Sequence, residues 1–171
     1  QLVDSVMVRN DLEILQFQDG PDIRGIDCAL VYSNQKFEPI TLGGSEPTAP
    51  ASHIIHNRYP TRDVFEVPLR IISNNAELIL YINHWPSRRQ DRFLSEPLRI
   101  AAANHLGRLI DRRLKLTRQE LMALPDTADS MATIQKRWNR NILAMGDFND
   151  EPFNRSILEE LKASSGFDRL E

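Results

Sequence analysis

The chain has 171 residues, of which 41% are hydrophobic and 26% are charged, and its formal net charge is -3. This length and balance predict one ordinary globular core and exclude a disordered chain. They also exclude the strongly basic composition of non-specific nucleic-acid binders, and no apolar stretch reaches the length of a membrane span.

Two strands are predicted in the first part of the chain. They cover "RGIDCALVY", residues 24–32, and "KFEPITL", residues 36–42. The short "SNQ" segment between them predicts a turn, so we expect the two strands to be neighbours. The single cysteine, Cys28, lies in the first of these apolar runs and cannot form an internal disulfide.

A second pair of strands follows a loop that is rich in Gly, Ser and Pro. "VFEVPLRII", residues 64–72, and "ELILYIN", residues 77–83, are separated by the turn sequence "SNNA". Residues 78–82 are apolar without alternation, which is typical of a strand that other layers cover on both faces.

The remaining elements alternate between helix and strand. A helix is predicted over residues 95–116 with Ser95 as N-cap, a shorter helix over 131–138, a buried strand over "NILAM" and a final helix near 153–164. Strand pairs this close along the chain favour a layered, mixed α/β domain over a parallel doubly wound sheet. We therefore expect a single domain over residues 1–171.

The charge is unevenly distributed along the chain. Residues 88–120 contain nine Lys or Arg and four Asp or Glu, a local excess of five that leaves the other residues at -8 within the total of -3. We favour a solvated helix face as the explanation, with a phosphate-binding surface as the alternative.

Polar side chains are concentrated where two predicted strands end. These side chains are Asn83, His84, Ser87 and Arg88 after one strand, and Asp147, Asn149 and Asp150 after the other. A carboxylate for a hard cation or a water proton, an amide, an imidazole and guanidinium groups are suited to phosphate-ester hydrolysis. Strand ends are where layered α/β domains assemble such groups from distant parts of the chain.

Each of these residues also has a simpler explanation. Asp147 and Asn149 could form an Asx-turn, His84 could be a hydrogen-bonded histidine at a sheet edge, and Arg88 could be a surface charge. A turn needs only one Asx residue, however, and the sequence supplies two polar strand ends.

The segments "INHWPSR" and "ILAMGDFNDEP" resemble the characteristic motifs of the endonuclease/exonuclease/phosphatase superfamily. "DIRGIDCALVY" also resembles the segment that precedes those motifs in bacterial members, and the resemblance spans residues 22–152 in the expected order. It implies a layered α/β sandwich with mixed, largely antiparallel sheets flanked by helices, present here as an incomplete four-layer sandwich.

The resemblance implies roles for individual residues. Asp147 matches the aspartate that activates the attacking water or holds a catalytic metal, and Asn149 matches the asparagine that orients this water. Both are the expected metal ligands in this chain, and the expected ion is Mg²⁺ or Mn²⁺. His84 matches the histidine that hydrogen-bonds the scissile phosphate. The residues expected on the substrate phosphate are Arg62, Asn83 and Arg88, with Arg24 a weaker candidate.

The sequence departs from the family pattern at both ends. It contains no counterpart of the principal metal-binding glutamate, and its histidines, at positions 53, 56, 84 and 105, all precede Asp147. We expect it to be the central portion of a larger catalytic domain.

The expected function is metal-dependent hydrolysis of a phosphodiester or phosphomonoester by in-line attack of water, as in a nuclease or phosphodiesterase. The alternative is an inactive module of the same fold that binds phosphate ligands or nucleic acid. DNA, RNA, a phospholipid head group and an inositol phosphate all stay open as substrates, and neither compartment nor oligomeric state follows from the sequence.

Overall fold

The computed structural model describes residues 10–16, 22, 24–41, 49–55, 61–89 and 91–163. The chain divides into two compact units. The first, here called the strand unit, comprises Gln1–His84 and Arg140–Asp147, and the second, the helical unit, comprises Trp85–Asn139 and Phe148–Glu171.

The strand unit contains two sheets. In the smaller sheet, β1 (Leu12–Gln16) pairs antiparallel with β2 (Ala29–Ser33). The larger sheet has the order β3 (Phe37–Pro39), β5 (Val64–Ile71), β6 (Ala76–His84) and β7 (Asn141–Asp147), and β4 (Ala51–His53) also pairs with β5. All its pairings are antiparallel except the parallel pairing of β6 with β7.

The expected pairing of the first two predicted strands is wrong. β2 pairs with β1, whereas β3 pairs with β5 in the other sheet. Side-chain hydrogen bonds hold β2 against β1, because the Tyr32 hydroxyl and the Asn34 amide both donate to the carboxylate of Glu13, at 2.6 and 2.8 Å. Hydrophobic periodicity carries no information about such contacts, so the sequence pattern could not choose between the partners.

The core of the strand unit lies between its two sheets. Alternate residues of β2, β5 and β6 share this core, and register pairs such as Phe65 with Ile82 and Val67 with Leu80 lie on the same sheet face. The full set of buried members is Cys28, Leu30, Tyr32, Phe65, Val67, Leu69, Leu80 and Ile82. Burial of this apolar surface is the main stabilising contribution to the strand unit.

Burial was predicted correctly for β6 and incorrectly for β7. Residues 79–82 of β6 are all buried, as expected for a strand covered on both faces. Leu143 and Met145 of β7 are 49% and 42% exposed, because β7 is the last strand in the sheet order and contributes no residue to the described core.

The helical unit contains α1 (Arg92–Leu114), α2 (Arg118–Ala123) and α3 (Ala128–Trp138), followed by a π-helical turn at Ser156–Glu160 where an α-helix was expected. The N-cap of α1 is Asp91, whose side chain accepts hydrogen bonds from the backbone N–H groups of Phe93 and Leu94, and not Ser95 as predicted. An aspartate is as good an N-cap as a serine, and Asp91 lies earlier in the chain, so the helix starts one turn sooner.

No helix in the described part of the chain combines the length and the apolar character that a membrane crossing requires. α1 has 23 residues, but arginines recur along it.

Candidate functional site

The two polar strand ends meet through the parallel pairing of β6 with β7. The register aligns Asn83 with Gly146 and His84 with Asp147. Because parallel strands end at the same edge of a sheet, the imidazole of His84 and the carboxylate of Asp147 extend from neighbouring positions at that edge. Asp147 is exposed and His84 is partly buried. The structure therefore brings together two of the residues that the sequence singled out, although they are far apart along the chain.

Gly146 allows the two strand ends to approach closely. Its φ is +126°, and a Cβ at this position would lie 2.0 Å from the carbonyl oxygen of Asn83. The buried side chain of Asn83 reinforces the same contact, since its amide donates to the carbonyl oxygens of Tyr81 at 2.9 Å and of Met145 at 3.5 Å. The sequence predicted Asn83 as a phosphate ligand, and the structure places its amide against the backbone of both strands.

Replacing Gly146 by alanine is expected to destabilise the protein by about 2–3 kcal/mol, because the new methyl group overlaps backbone that has little freedom to move. A lower melting temperature with reduced binding of inorganic phosphate is the expected result. The matched control is Gly107→Ala in α1, where the nearest atom to the added Cβ is 3.5 Å away and alanine favours the helix. Equal melting temperatures for the two variants would contradict the close-approach argument.

The buried side chain of Arg62 holds the end of β6 in place. Its Nε donates to the backbone carbonyl of His84 at 2.7 Å, and its Nη1 lies 3.4 Å from Oδ2 of Asp22. The side chains of Arg62 and Asp22 are only 6% and 5% exposed. A buried guanidinium that bonds a backbone carbonyl fixes the direction in which the strand leaves the sheet.

Asp22 holds a second arginine as well. Arg24 donates from Nε to Oδ1 at 2.9 Å and from Nη2 to Oδ2 at 2.6 Å, and its backbone N–H also donates to Oδ1 at 2.9 Å. These hydrogen bonds from Arg24, with the charges of both arginines, hold the pKa of Asp22 far below its usual range against the opposing effect of burial. Asp22 is therefore ionised at neutral pH.

The imidazole of His84 has a lowered pKa. Burial is the main cause, and the positive charges of Arg62 and Arg24 add to it, while Asp147 and Asp22 act in the opposite direction. The ring is therefore predominantly neutral at neutral pH. A neutral imidazole carries one N–H donor and one acceptor nitrogen, so it can donate a hydrogen bond to an anionic oxygen without carrying a charge itself.

In the helical unit, Asn149 lies in a constrained turn. Its φ is +49°, which asparagine tolerates better than most residues, and its Nδ2 donates to the carbonyl oxygen of Trp85 at 2.9 Å. The rings of Trp85 and Phe148 meet edge to face, with centroids 4.9 Å apart. Trp85 is only 1% exposed and packs inside the protein.

Asp150 is buried in a network of donors. Its Oδ2 accepts from the Ser156 hydroxyl at 2.5 Å and lies 3.0 Å from Nε of Arg99, and its Oδ1 accepts from the amide of Asn154. Burial raises the pKa of Asp150, but the hydrogen bonds from Ser156, Asn154 and Arg99 outweigh it and leave the pKa below its usual value. Asp150 thus ties the segment after β7 to helix α1.

Arg88, which was predicted to contact phosphate, pairs with Glu151. Its Nη2 lies 2.8 Å from Oε1 of Glu151, and 35% of its side chain is exposed. Arg88 and Asn149 both belong to the helical unit, whereas His84, Asp147, Arg62 and Asn83 belong to the strand unit.

The residues present suit a hard divalent cation that keeps several water ligands better than an ion that protein ligands enclose completely. No three His, Cys, Asp or Glu side chains form a metal-binding group within the described ranges. Mg²⁺ commonly takes one or two carboxylates and completes its shell with water and substrate phosphate oxygens. The carboxylate of Asp147 and the amide oxygen of Asn149 are donors of this type.

Sequence reasoning missed two residues that shape this edge of the sheet. Gly146 did carry a signal, because a glycine inside a strand often marks a close backbone approach. Asp22 carried none, since its importance rests on Arg62, which lies 40 positions further along the chain.

Comparison with known proteins agrees with the fold. A model for the endonuclease/exonuclease/phosphatase family matches residues 1–170. The structure of the human Nocturnin catalytic domain with bound sulfate anion has a TM-score of 0.54 and 14% sequence identity, over 86% of this chain and 46% of that one. A mannosyl-6-phosphatase from Bacteroides thetaiotaomicron VPI-5482 has a TM-score of 0.54 and 11% identity, over 90% of this chain and 48% of that one.

The chain thus spans about half the length of these two structures. No curated protein matches its sequence. The family match confirms the resemblance that the motifs carried, and the structural likeness confirms the predicted fold class of an α/β sandwich with mixed, largely antiparallel sheets.

Proposed function

This chain belongs to the endonuclease/exonuclease/phosphatase family, and from that premise we propose that it takes part in metal-dependent hydrolysis of a phosphate ester. Water attacks phosphorus in line with the leaving oxygen, with no covalent intermediate. The observation that carries the proposal is the parallel register of β6 and β7, which aligns His84 with Asp147 at one edge of the sheet. An exposed carboxylate beside a neutral imidazole suits this reaction, because the carboxylate can accept a proton or hold a metal ion while the imidazole donates a hydrogen bond to the phosphate.

Asp147 has the role of handling the proton of the attacking water or of holding the metal ion. It is exposed at the end of a strand, so water, metal and substrate can all reach its carboxylate. His84 donates a hydrogen bond to a non-bridging phosphate oxygen, for which its lowered pKa and neutral ring are suitable. Arg62 keeps the end of β6 in place by binding the His84 carbonyl.

Enzymes of this family generally use divalent metal ions, and we propose Mg²⁺ or Mn²⁺ for this chain. Asp147 would hold this ion, and Asn149 is the second ligand that the resemblance to the family implies. When bound, such an ion neutralises charge that develops on the phosphate oxygens.

The proposed substrate is a phosphodiester, as in a nuclease or phosphodiesterase. One structural relative is named a phosphatase, so a phosphomonoester remains within the proposal. The basic run at residues 88–120 gives limited support for nucleic acid, because three of its positive charges are paired within the helical unit: Arg88 with Glu151, Arg99 with Asp150 and Lys115 with Asp111.

The test is hydrolysis of bis(p-nitrophenyl) phosphate by the purified full-length protein that contains these residues. We expect turnover with Mg²⁺ or Mn²⁺. Removing the metal with EDTA should lower the rate by at least about a hundredfold, because a bound metal ion lowers the activation barrier by several kcal/mol. Restoring the metal should restore the rate. Binding of inorganic phosphate with no metal-dependent turnover would instead favour the inactive binding module.

A further inference from the structure

Two arginines share the carboxylate of Asp22 but differ sharply in exposure. Arg62 is 6% exposed, and two of its nitrogens are engaged by the His84 carbonyl and Asp22. Arg24 is 60% exposed. Both arginines interact with the same oxygen, Oδ2, so the contacts run from Arg24 through Asp22 and Arg62 to the backbone of His84.

We propose that Arg24, held in place by Asp22, is the arginine that binds the substrate phosphate, and that Arg62 is a positioning residue for the end of β6. This inference rests on the proposed function, because it concerns the same phosphate. It changes the roles that the resemblance implied, where Arg62 was one of the expected phosphate ligands and Arg24 a weaker candidate.

The contacts of Arg24 fix both its backbone and its guanidinium. The Gly25 N–H donates to the Asp22 carbonyl at 2.9 Å, and Gly25 has a φ of +64° that favours glycine. Asp22 then binds Nε and Nη2 of Arg24 in a two-pronged arrangement. An arginine that is held in this way loses little further freedom when an anion binds, so more of the interaction contributes to affinity.

Burial argues against the same role for Arg62. An anionic phosphate ester would have to reach a side chain that is 6% exposed and already bonded to a backbone carbonyl and a carboxylate. Breaking those bonds would leave Asp22 and the His84 carbonyl with fewer buried partners, which is costly. Arg24 can be reached from solvent while it keeps its bonds to Asp22.

The experiment compares Arg24→Ala, Arg24→Lys and Asp22→Asn with the unmodified protein. The matched control is Arg70→Ala, which removes another partly exposed arginine of the strand unit that is paired with a carboxylate, Glu38. Two quantities are measured: the Kd of inorganic phosphate by calorimetry, and KM and kcat for bis(p-nitrophenyl) phosphate. Melting temperatures show whether each variant is folded.

We expect Arg24→Ala to raise the phosphate Kd and the KM by about tenfold or more, with kcat changed by less than about threefold. Arg24→Lys should recover part of this loss, since lysine keeps the charge but not the planar donor fork. Asp22→Asn should act in the same direction, and combining it with Arg24→Ala should add little, because both changes remove the same interaction.

If the protein is active and Arg24→Ala has the same phosphate Kd and KM as the Arg70→Ala control, the inference is overturned. So would a folded Arg62→Lys variant whose Kd and KM rise as far as expected here while Arg24→Ala leaves them unchanged. A protein that binds phosphate through Arg24 but does not hydrolyse the ester would refute the proposed function and uphold this inference, so the two failures are distinguishable.

Discussion

Replacement of Asp147 by alanine is expected to reduce metal-dependent hydrolysis of bis(p-nitrophenyl) phosphate by at least about a hundredfold. Proton transfer by a positioned side chain is typically worth 10²–10⁴-fold in rate. Asp147 is exposed at the end of β7 and lies opposite His84 in the register, so its loss removes the proposed group without emptying a buried space. The melting temperature should therefore change little while the rate falls.

The control for Asp147→Ala is Asp111→Ala. Asp111 is also an exposed aspartate, and it lies on α1, where it forms an ion pair with Lys115 just after the helix. Unaltered kinetics are expected for this variant. If Asp147→Ala kept the full rate of the parent protein, Asp147 would have no part in the reaction and the proposed mechanism would be abandoned.

Replacement of Asp150 by asparagine is expected to lower the free energy of unfolding by about 3–5 kcal/mol, and the melting temperature by roughly 6–20 °C. Both Asp150 and its partner Arg99 have side chains that are 1% exposed. The substitution therefore leaves a buried guanidinium without its counter-charge, which costs more than the ion pair itself contributes.

The same ion pair predicts how stability depends on pH. The pKa of Asp150 is lower in the folded protein than its ordinary value of 3.8, so the folded state favours the ionised form. Its contribution is fully present above the pKa of the unfolded chain and is lost as the pH falls through the lower, folded value. Asp150→Asn should therefore reduce the loss of stability that the parent protein shows on acidification below about pH 4.

Chemical denaturation at neutral and acidic pH measures both effects. Asp111→Asn is the matched control, since it alters an exposed ion pair whose side chains are 54% and 61% exposed, and such pairs typically contribute at most about 1 kcal/mol. If the two variants lost the same free energy of unfolding at neutral pH, the Asp150 network would stabilise the protein no more than a surface ion pair does.

Asp150 also explains why the polar run after β7 is longer than one turn requires. Asp147 ends the strand, Asn149 adopts the left-handed turn conformation, and Asp150 turns inwards to Arg99. Three polar residues within four positions thus have three different environments. A sequence pattern shows that these residues are polar, but not which of them is buried.

The sequence by itself determined the α/β class, the β5–β6 hairpin, the strand nature of β7 and the family. These features depend on local apolar runs, turn residues and short motifs, each of which is contained in a short stretch of the chain. It also selected His84 and Asp147 as polar strand ends, and the register aligns them. The role of each residue in the chemistry stays a prediction for the experiments above.

The tertiary structure alone decided which strands pair, which polar groups are buried and which arginine is exposed. Tyr32 and Asn34 hold β2 to β1 through Glu13, and Asp22 lies 40 positions from Arg62. Such contacts join residues that no periodicity or spacing relates. Their energies depend on distance and burial, which arise only when the chain has folded.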